Sequence, residues 1–572
     1  MNTALLLDAV VIVAYFALVI GIGLWMSRGA KSVEGFALGG RQIAWWAVLA
    51  SILAAEISAG TFFGAPGEGF ALRNYTYIQL IIGYLLARVV VSAVFIPAFY
   101  RHNVVSIYEF LGTRFGPRTR RAASAVFLVT RLLASGTRLW VPTVLLVMIW
   151  NLAHPGAAAT PVREFWLYGA ALVFIIFATA LYTTVGGIKA VIWTDVIQIV
   201  VLLSALGFSL GFLIQHVGGW EGAKPHLLGA KVFDTGLKEG AGFWANVKGV
   251  LEQEYTLWAA FLGSTFVTLA THGTDQDMVQ RMLTAKNKRQ SAFATIMSGL
   301  VDIPIQFAVL GIGILLAVYF EQNPDALLPR NPVTHEVIAN KAYPHFILTA
   351  MPGGLRGLVL AGVLATTMGS LSTALNALAT SYVRDFHFRW FGEPATDAGR
   401  VRSLRIGTIL FAVLFVAVAL ATAWVSAMNP KLRIIPIILG IFGYTYGSLL
   451  GIFMAGLFTR GRGNDRGNAL AMLAGFAVVV LLSGLHNDVW QLLHPNAWTV
   501  GHLKPIHIFG GTTPVMFIPV FKRAVLWQPD WLPGIEFPWR ILFGTAVTFA
   551  VAVCFRTPAN RIADTAEKDA QS

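Results

Sequence analysis

Glu56 stands in a run of small and apolar residues, Ala54-Ala55-Glu56-Ile57-Ser58-Ala59-Gly60-Thr61, followed by Gly64-Ala65-Pro66-Gly67-Glu68-Gly69. An unbroken lipid-facing helix would not tolerate an acid, hydroxyls and glycines at this density. A helix broken near Glu56–Ser58 would turn main-chain carbonyls toward a bound ion or solute. The competing reading is a glycine-rich packing face, in which Glu56 would be costly without a partner. A second interruption is Thr268-Leu-Ala-Thr-His-Gly-Thr-Asp-Gln-Asp277, with Thr271, His272 and Gly273 at its centre. No second ligand of the kind zinc takes lies near His272, so that residue reads as cavity-lining or packing. In a third segment Thr366, Gly369, Ser370 and Thr373 recur on one side of a helix. Hydroxyls there, with carbonyls from a broken helix, would suit a hard cation such as sodium. The same residues equally serve close helix contact in a membrane.

Other ionisable residues fall within apolar runs or at their ends: Arg88, Arg131, Arg138, Asp195 and Asp302. Such groups face the protein interior and find partners. Arg131 and Arg138, seven apart, share a helix face, where they could meet an anionic substrate or pair with Asp or Glu.

The elements that must position these residues are membrane helices. Of the 572 residues 56% are hydrophobic and 12% charged, and the mean hydropathy is +0.67. A soluble chain carries roughly a quarter charged residues, twice what is available here to cover a solvated surface. The 56 glycines and 17 tryptophans suit close helix contacts and interfacial anchoring. Apolar runs place spans near 8–27, 43–71, 76–100, 121–151, 165–184, 188–216, 256–273, 291–320, 355–384, 404–426, 432–459, 468–486 and 535–555, about thirteen in all. The segment 487–534, rich in Trp, Pro and His, reads as a long outer loop with interfacial pieces. Cys554 is the only cysteine, which excludes an intrachain disulfide framework.

The net charge of +14 reads as topology rather than nucleic-acid binding, because the basic residues lie in short loops between apolar runs. Alternate loops are basic: Arg28, Lys31 and Arg41; then Arg101, Arg114, Arg118, Arg120 and Arg121; then Lys189; then Arg281, Lys286, Lys288 and Arg289. The series continues with Arg384, Arg389, Arg400, Arg402 and Arg405, then Arg460, Arg462 and Arg466, and ends at Arg556 and Arg561. This puts the N-terminus outside and the C-terminus in the cytoplasm of a cell (inner or plasma) membrane protein. The first apolar run follows Asp8 and precedes Arg28 and Lys31, the wrong polarity for a cleaved signal peptide.

Four strings together resemble the sodium/solute symporter family, whose members carry sugars, proline, sialic acid, pantothenate and monocarboxylates. They are Arg101-His-Asn-Val-Val-Ser-Ile-Tyr-Glu-Phe-Leu-Gly-Thr-Arg-Phe-Gly116, Gly186-Gly-Ile-Lys-Ala-Val-Ile-Trp-Thr-Asp-Val-Ile-Gln198, Gln276-Asp-Met-Val-Gln-Arg281 and Gly447-Ser-Leu-Leu-Gly-Ile-Phe-Met-Ala-Gly-Leu-Phe458. They keep the family's order over residues 8 to about 485. The resemblance implies an all-α integral membrane fold of the leucine-transporter type, a five-plus-five inverted repeat core with one N-terminal and two C-terminal extra helices. The repeats would be 43–216 and 256–459, with 1–42 before them, 217–255 as an outer loop between them, and 460–572 as C-terminal helices. Both polar interruptions then fall in corresponding first helices, where discontinuous helices meet the solute.

The family's shared sodium site, carried onto this chain, implies the carbonyls of Ala54 and Ile57 facing Thr366, Gly369 and Ser370. Gly369 departs from the pattern, since many sodium-coupled relatives have a hydroxyl there. Glu56 replaces an aspartate of proline carriers and an asparagine of sugar carriers. It could tune the ion site, bind solute or take a proton. Asp195 resembles the signature aspartate near the intracellular sodium path. The substrate glutamine of sugar carriers corresponds to Thr61, their glutamate aligns near Ile81 and a serine near Tyr84, so a galactose-like site is not supported. Thr61, Tyr84, Thr268 and Thr271 remain cavity-lining candidates, with Ser58 and His272 beside them.

The expected function is sodium-coupled import of a small organic solute (sugar, carboxylate, amino acid or similar) by alternating access, with sodium as coupling ion and no cofactor. A proton-coupled or sodium-independent carrier of the same fold is the alternative. A channel should show a pore ring or filter, an enzyme a clustered nucleophile, base or metal, and a sensor an appended soluble domain; the sequence shows none of these.

Overall fold

The computed structural model describes residues 3–26, 32–139, 161–325, 337–428, 434–483 and 535–562, with isolated positions between 142 and 154, Leu328, and short strands between 504 and 524. The fold is helical. The first helix, α1, spans Thr3–Met26. The run read as the second span is two helices, α2 (Trp45–Glu56) and α3 (Ala59–Leu72), bent by 64°. The next span is α4 (Leu80–Val90), which continues through a π-turn at Val91–Phe95 into Ile96–Arg101. Then come α5 (Tyr108–Arg114), α6 (Pro117–Arg138) and α7 (Pro161–His216). The second half holds α8 (Thr265–Gly273), α9 (Gln276–Met282), α10 (Lys288–Gln322), α11 (Leu355–Tyr382), α12 (Asp397–Met428), α13 (Ile434–Phe458), α14 (Gly467–Ser483) and α15 (Phe537–Cys554).

Among the described residues, seven helical stretches are long and apolar enough to cross a bilayer, and the bent α2–α3 pair makes an eighth. One of the seven, Phe165–His216, has 52 residues. At 1.5 Å per residue it would reach ~78 Å, far beyond the ~30 Å hydrocarbon layer. Gly187 divides it: its φ of 58° and ψ of −155° are non-helical. A side chain there would also press into Phe36, whose ring would lie 2.9 Å from a Cβ. Glycine is the residue that accepts both constraints. This break separates the runs read as 165–184 and 188–216.

Burial orders the helices around α11. In the span containing α11, 89% of the apolar window is buried, against 22% for α1. α11 is therefore surrounded by protein, which is why it can carry Gly, Ala, Ser and Thr on every face. α1 is a lipid-facing flank, tied in by Asp8, which accepts from the amides of Gly354 and Gly357 at 2.8 Å each and pairs with Arg356 at 2.6 Å.

Most of the segment 487–534, expected as an outer loop, lies outside the described residues. Lys504–Ile508 and Gly511–Val515 form an antiparallel ladder, and Phe517–Ile518 pairs with Arg523–Ala524. Ile506, Ile508, Thr512, Thr513 and Val515 flank Gly510-Gly511. That is a hairpin pattern, which a search for long apolar runs does not register.

Candidate functional site

The break between α2 and α3 is built from backbone hydrogen bonds that change partners. Ile57 leaves the helix with φ −81° and ψ 86°, and Ser58 is extended. The Ser58 amide turns to Glu56 O at 3.0 Å instead of continuing the ladder to Ala54 O. The Thr61 amide donates to Ser58 Oγ at 3.4 Å, the side-chain cap of α3, instead of to Ile57 O. Two carbonyls, those of Ala54 and Ile57, thereby lose their helical donors at membrane depth.

α11 passes beside this break at Gly369. A Cβ there would meet Ala54 O at 3.4 Å, Asp195 Oδ1 at 3.4 Å and Gln198 Oε1 at 2.8 Å. Asp195 is fully buried and accepts from Ser51 Oγ at 2.5 Å through Oδ2. Among the described residues, its Oδ1 and Gln198 Oε1 have no hydrogen-bond partner. Buried oxygens are normally satisfied, and the carbonyl, carboxylate oxygen and amide oxygen that converge on Gly369 are the donor type a hard cation takes.

The hydroxyls of α11 are less uniform. Thr366 is buried and donates back to Val363 O at 2.8 Å, and Thr373 donates to Gly369 O at 3.0 Å. Ser370 donates to Thr366 O at 3.0 Å, yet it also lines an annex of the central cavity with Thr367, Ala55, Ser58 and Gly60.

The central cavity, of about 410 Å³, lies on the other side of the break. Glu56, Ser58, Thr61, Tyr84, Thr268, Thr271 and His272 all line it, together with Ile57. Asp195 does not; it sits with the α11 group. Sequence reading passed over Tyr77, Tyr255, Gln306 and Phe442, which also face the cavity. The aromatic residues carry no signal of their own in one sequence, since a tyrosine in a span is ordinary at a membrane interface.

Charge is distributed unevenly around this cavity. Glu56 pairs with Arg88, which is 1% exposed, and its Oε1 lies 2.8 Å from His272 Nε2. Arg131 pairs with Asp275 and Asp277, and Arg281 pairs with Asp277 at 3.1 Å. Tyr446 donates to Asp275 at 2.5 Å. Of the two arginines that share a face of α6, Arg131 is thus held in a structural network. Arg138 is not: it lies 4.6 Å from the ring centre of Phe442, its Nε has no partner, and among the described residues no carboxylate pairs with it. Asp302 accepts from Gln306 Nε2 at 3.2 Å and also lines the cavity.

At the other end of the break-bearing bundle, a polar knot joins the α5–α6 region to the end of α11. Asp385 accepts from Ser106 at 2.8 Å, Ser124 at 2.7 Å and Arg120 at 2.7 Å. Glu109 pairs with Arg384 at 2.8 Å and Arg120 at 3.3 Å.

Comparison with known proteins agrees with this architecture. The profile described as "Sodium:solute symporter family" matches residues 36–475. Sodium/glucose cotransporter 2 of Rattus norvegicus is 29% identical over 511 residues, covering 84% of this chain and 71% of that protein. The sodium/sialic acid symporter NanT of Aliivibrio fischeri is 27% identical, covering 83% of this chain and 87% of that one. Sodium-coupled monocarboxylate transporter 2 of Homo sapiens is 27% identical over 79% of this chain and 68% of that one. Among solved structures, a substrate-bound, outward-open Na+-coupled sialic acid symporter superposes with a TM-score of 0.72 at 20% identity, covering 96% and 97% of the two chains. That likeness shows a shared fold.

Proposed function

The chain belongs to the sodium:solute symporter family, and from that membership and the geometry at the helix break we propose that it is a sodium-coupled symporter importing a small organic anion by alternating access. The observation that carries the coupling is the convergence at Gly369. The Ala54 carbonyl, freed by the helix break, meets two buried, unpartnered side-chain oxygens, Asp195 Oδ1 and Gln198 Oε1. Sodium takes oxygen ligands, as other hard cations do. The Ile57 carbonyl and Ser370 Oγ complete the proposed ligand set, and the two side-chain oxygens replace the hydroxyl that Gly369 lacks. Thr366 and Ser370 both donate to carbonyls of their own helix, which leaves their oxygen lone pairs available; Ser370 is preferred because it also lines the cavity annex.

The solute occupies the cavity beyond the break. Among the described residues no carboxylate pairs with Arg138, and Ser58 and Gly60 at the N-terminus of α3 line both cavity and annex with it. A guanidinium beside a helix N-terminus suits a carboxylate. Tyr77, Tyr84 and Tyr255 offer hydroxyls to the rest of the molecule. In this reading the two halves are repeats 43–216 and 256–459, and the alternation of basic loops supports a cytoplasmic C-terminus. An ion at Gly369 would bridge α2 to α11, stabilising the conformation in which α3 presents its N-terminus to the solute. That shared dependence on the break is the coupling.

Uptake into proteoliposomes, with and without an inward sodium gradient, tests the reading. Uptake of radiolabelled small carboxylates should rise with the gradient. Uptake indifferent to sodium and abolished by collapsing a proton gradient would overturn it.

A further inference from the structure

Asp302 and Gln306 are a helical turn apart on α10, and both line the central cavity. Both are buried, Asp302 at 4% exposure and Gln306 at 6%. Gln306 donates from Nε2 to Asp302 Oδ1 at 3.2 Å, and among the described residues its own Oε1 has no hydrogen-bond partner. A carboxylate and an amide oxygen, both acceptors, thus lie side by side at the cavity.

Among the described residues no cation is committed to Asp302. Arg88 attracts it through space but is ion-paired with Glu56, and His272 also turns Nε2 to Glu56. Two carboxylates therefore share one guanidinium. An uncompensated buried carboxylate at membrane depth is costly, and such groups mark the path of a transported species. Arg138 is the complementary case, a guanidinium at the same cavity with no described carboxylate as its partner. It also lines the annex beside Ser370, which Asp302 does not, so the two charges stand apart. A plain carboxylate solute would satisfy Arg138 and leave Asp302 facing a further negative charge. A solute hydroxyl would bond to Asp302 and leave its charge unbalanced. An ammonium supplies the charge and three donors together.

We propose that Asp302 and Gln306 form a second pole of the solute site and select aminocarboxylates, the ammonium resting between the Asp302 carboxylate and Gln306 Oε1 while the carboxylate meets Arg138. This rests on the reading of Arg138 as the carboxylate anchor and narrows the solutes from small carboxylates at large to those that also bear an amine. Charge-assisted hydrogen bonds at both ends fix the orientation of the solute in the cavity.

The test follows the thermal unfolding midpoint of the full chain in detergent with saturating sodium. The probes are alanine, leucine, γ-aminobutyrate and ε-aminocaproate, each beside its plain and its hydroxylated counterpart, so that the spacing of amine and carboxylate varies. At least one aminocarboxylate should raise the midpoint at concentrations where its two counterparts do not. Asp302→Asn keeps the shape and should need at least tenfold more of that probe for the same rise, which erases the preference for the amine. Gln306→Leu, which alters no charge, should need roughly threefold more, and it carries the test if Asp302→Asn does not fold. Plain or hydroxylated acids that match the amine, a preference unchanged in these variants, or no response to any aminocarboxylate would overturn the proposal. So would an Asp302→Asn variant in which the affinity for sodium falls and that for the aminocarboxylate does not, which would make Asp302 an ion ligand. The Arg138 reading fails separately, if Arg138→Gln binds the aminocarboxylate as the parent does.

Discussion

Arg88, buried on α4, forms an ion pair with Glu56, the residue at which α2 ends. The pair cancels the charge at the helix break, so Glu56 does not by itself make the cavity acidic. Removing one partner leaves a buried charge uncompensated, at a cost of about 3–5 kcal/mol, whereas replacing both is tolerated far better. Arg88→Met should therefore lower the thermal unfolding midpoint sharply, and Arg88→Met/Glu56→Leu should recover much of the loss. A double variant as unstable as Arg88→Met would show that the pair does not act as a unit.

Arg131 and Arg138 stand on one face of α6 but have opposite surroundings, and their variants should separate. Arg138→Gln removes a cation with no carboxylate partner. It should leave the unfolding midpoint near that of the parent and raise the KM for a carboxylate solute at least tenfold, about 1.4 kcal/mol of binding. Arg131→Gln takes the arginine partner from Asp275 and one of two from Asp277, leaving Tyr446 and Arg281 to hold them, and should cost about 3 kcal/mol of stability. Equal effects on KM and stability from both substitutions would remove Arg138 as the solute anchor.

Sequence reading located the break at Glu56–Ser58, because an acid and glycines in a span contradict hydropathy. It could not see that Glu56 meets Arg88, since 32 residues separate them and periodicity reports faces, not partners across helices. The same limit hid Gln198 opposite Gly369, while Asp195 entered only through the family resemblance, near the intracellular sodium path. There the missing hydroxyl looked like a weakness of the ion site, while the oxygens around it belong to another helix. Thr366 shows the converse. Its spacing put it on one face with Ser370, but spacing does not report that both hydroxyls donate to carbonyls of their own helix.

The knot around Asp385 and Glu109 holds the α5–α6 region against the end of α11, and a transporter must release such a contact when that end opens. Glu109→Gln removes the negative charge shared by Arg120 and Arg384 while keeping an acceptor oxygen. Both arginines are about a quarter exposed, so the loss should be modest, ~1 kcal/mol. That is enough to raise the population of the open state about fivefold. Backbone amides in 384–391 should exchange hydrogen correspondingly faster, with those of α1 unchanged. Unaltered exchange in 384–391 would mean that the knot is not a latch.

Gly369 and Asp195 offer the sharpest test of the ion site. Asp195→Asn keeps the shape of the side chain and an oxygen for Ser51, but removes the charge facing Gly369. Sodium should then bind at least tenfold more weakly, about 1.4 kcal/mol. Gly369→Ala places a methyl group 2.8 Å from Gln198 Oε1 and 3.4 Å from Ala54 O, where the cation would sit. The first contact is with the end of a flexible side chain, so the helix can accept the methyl group at small cost in stability. The second occupies the ion's space, so the concentration of sodium giving half-maximal uptake should again rise tenfold or more. Because one variant acts through charge and the other through volume, agreement between them would place the ion beside Gly369. Normal sodium dependence in both would place it elsewhere.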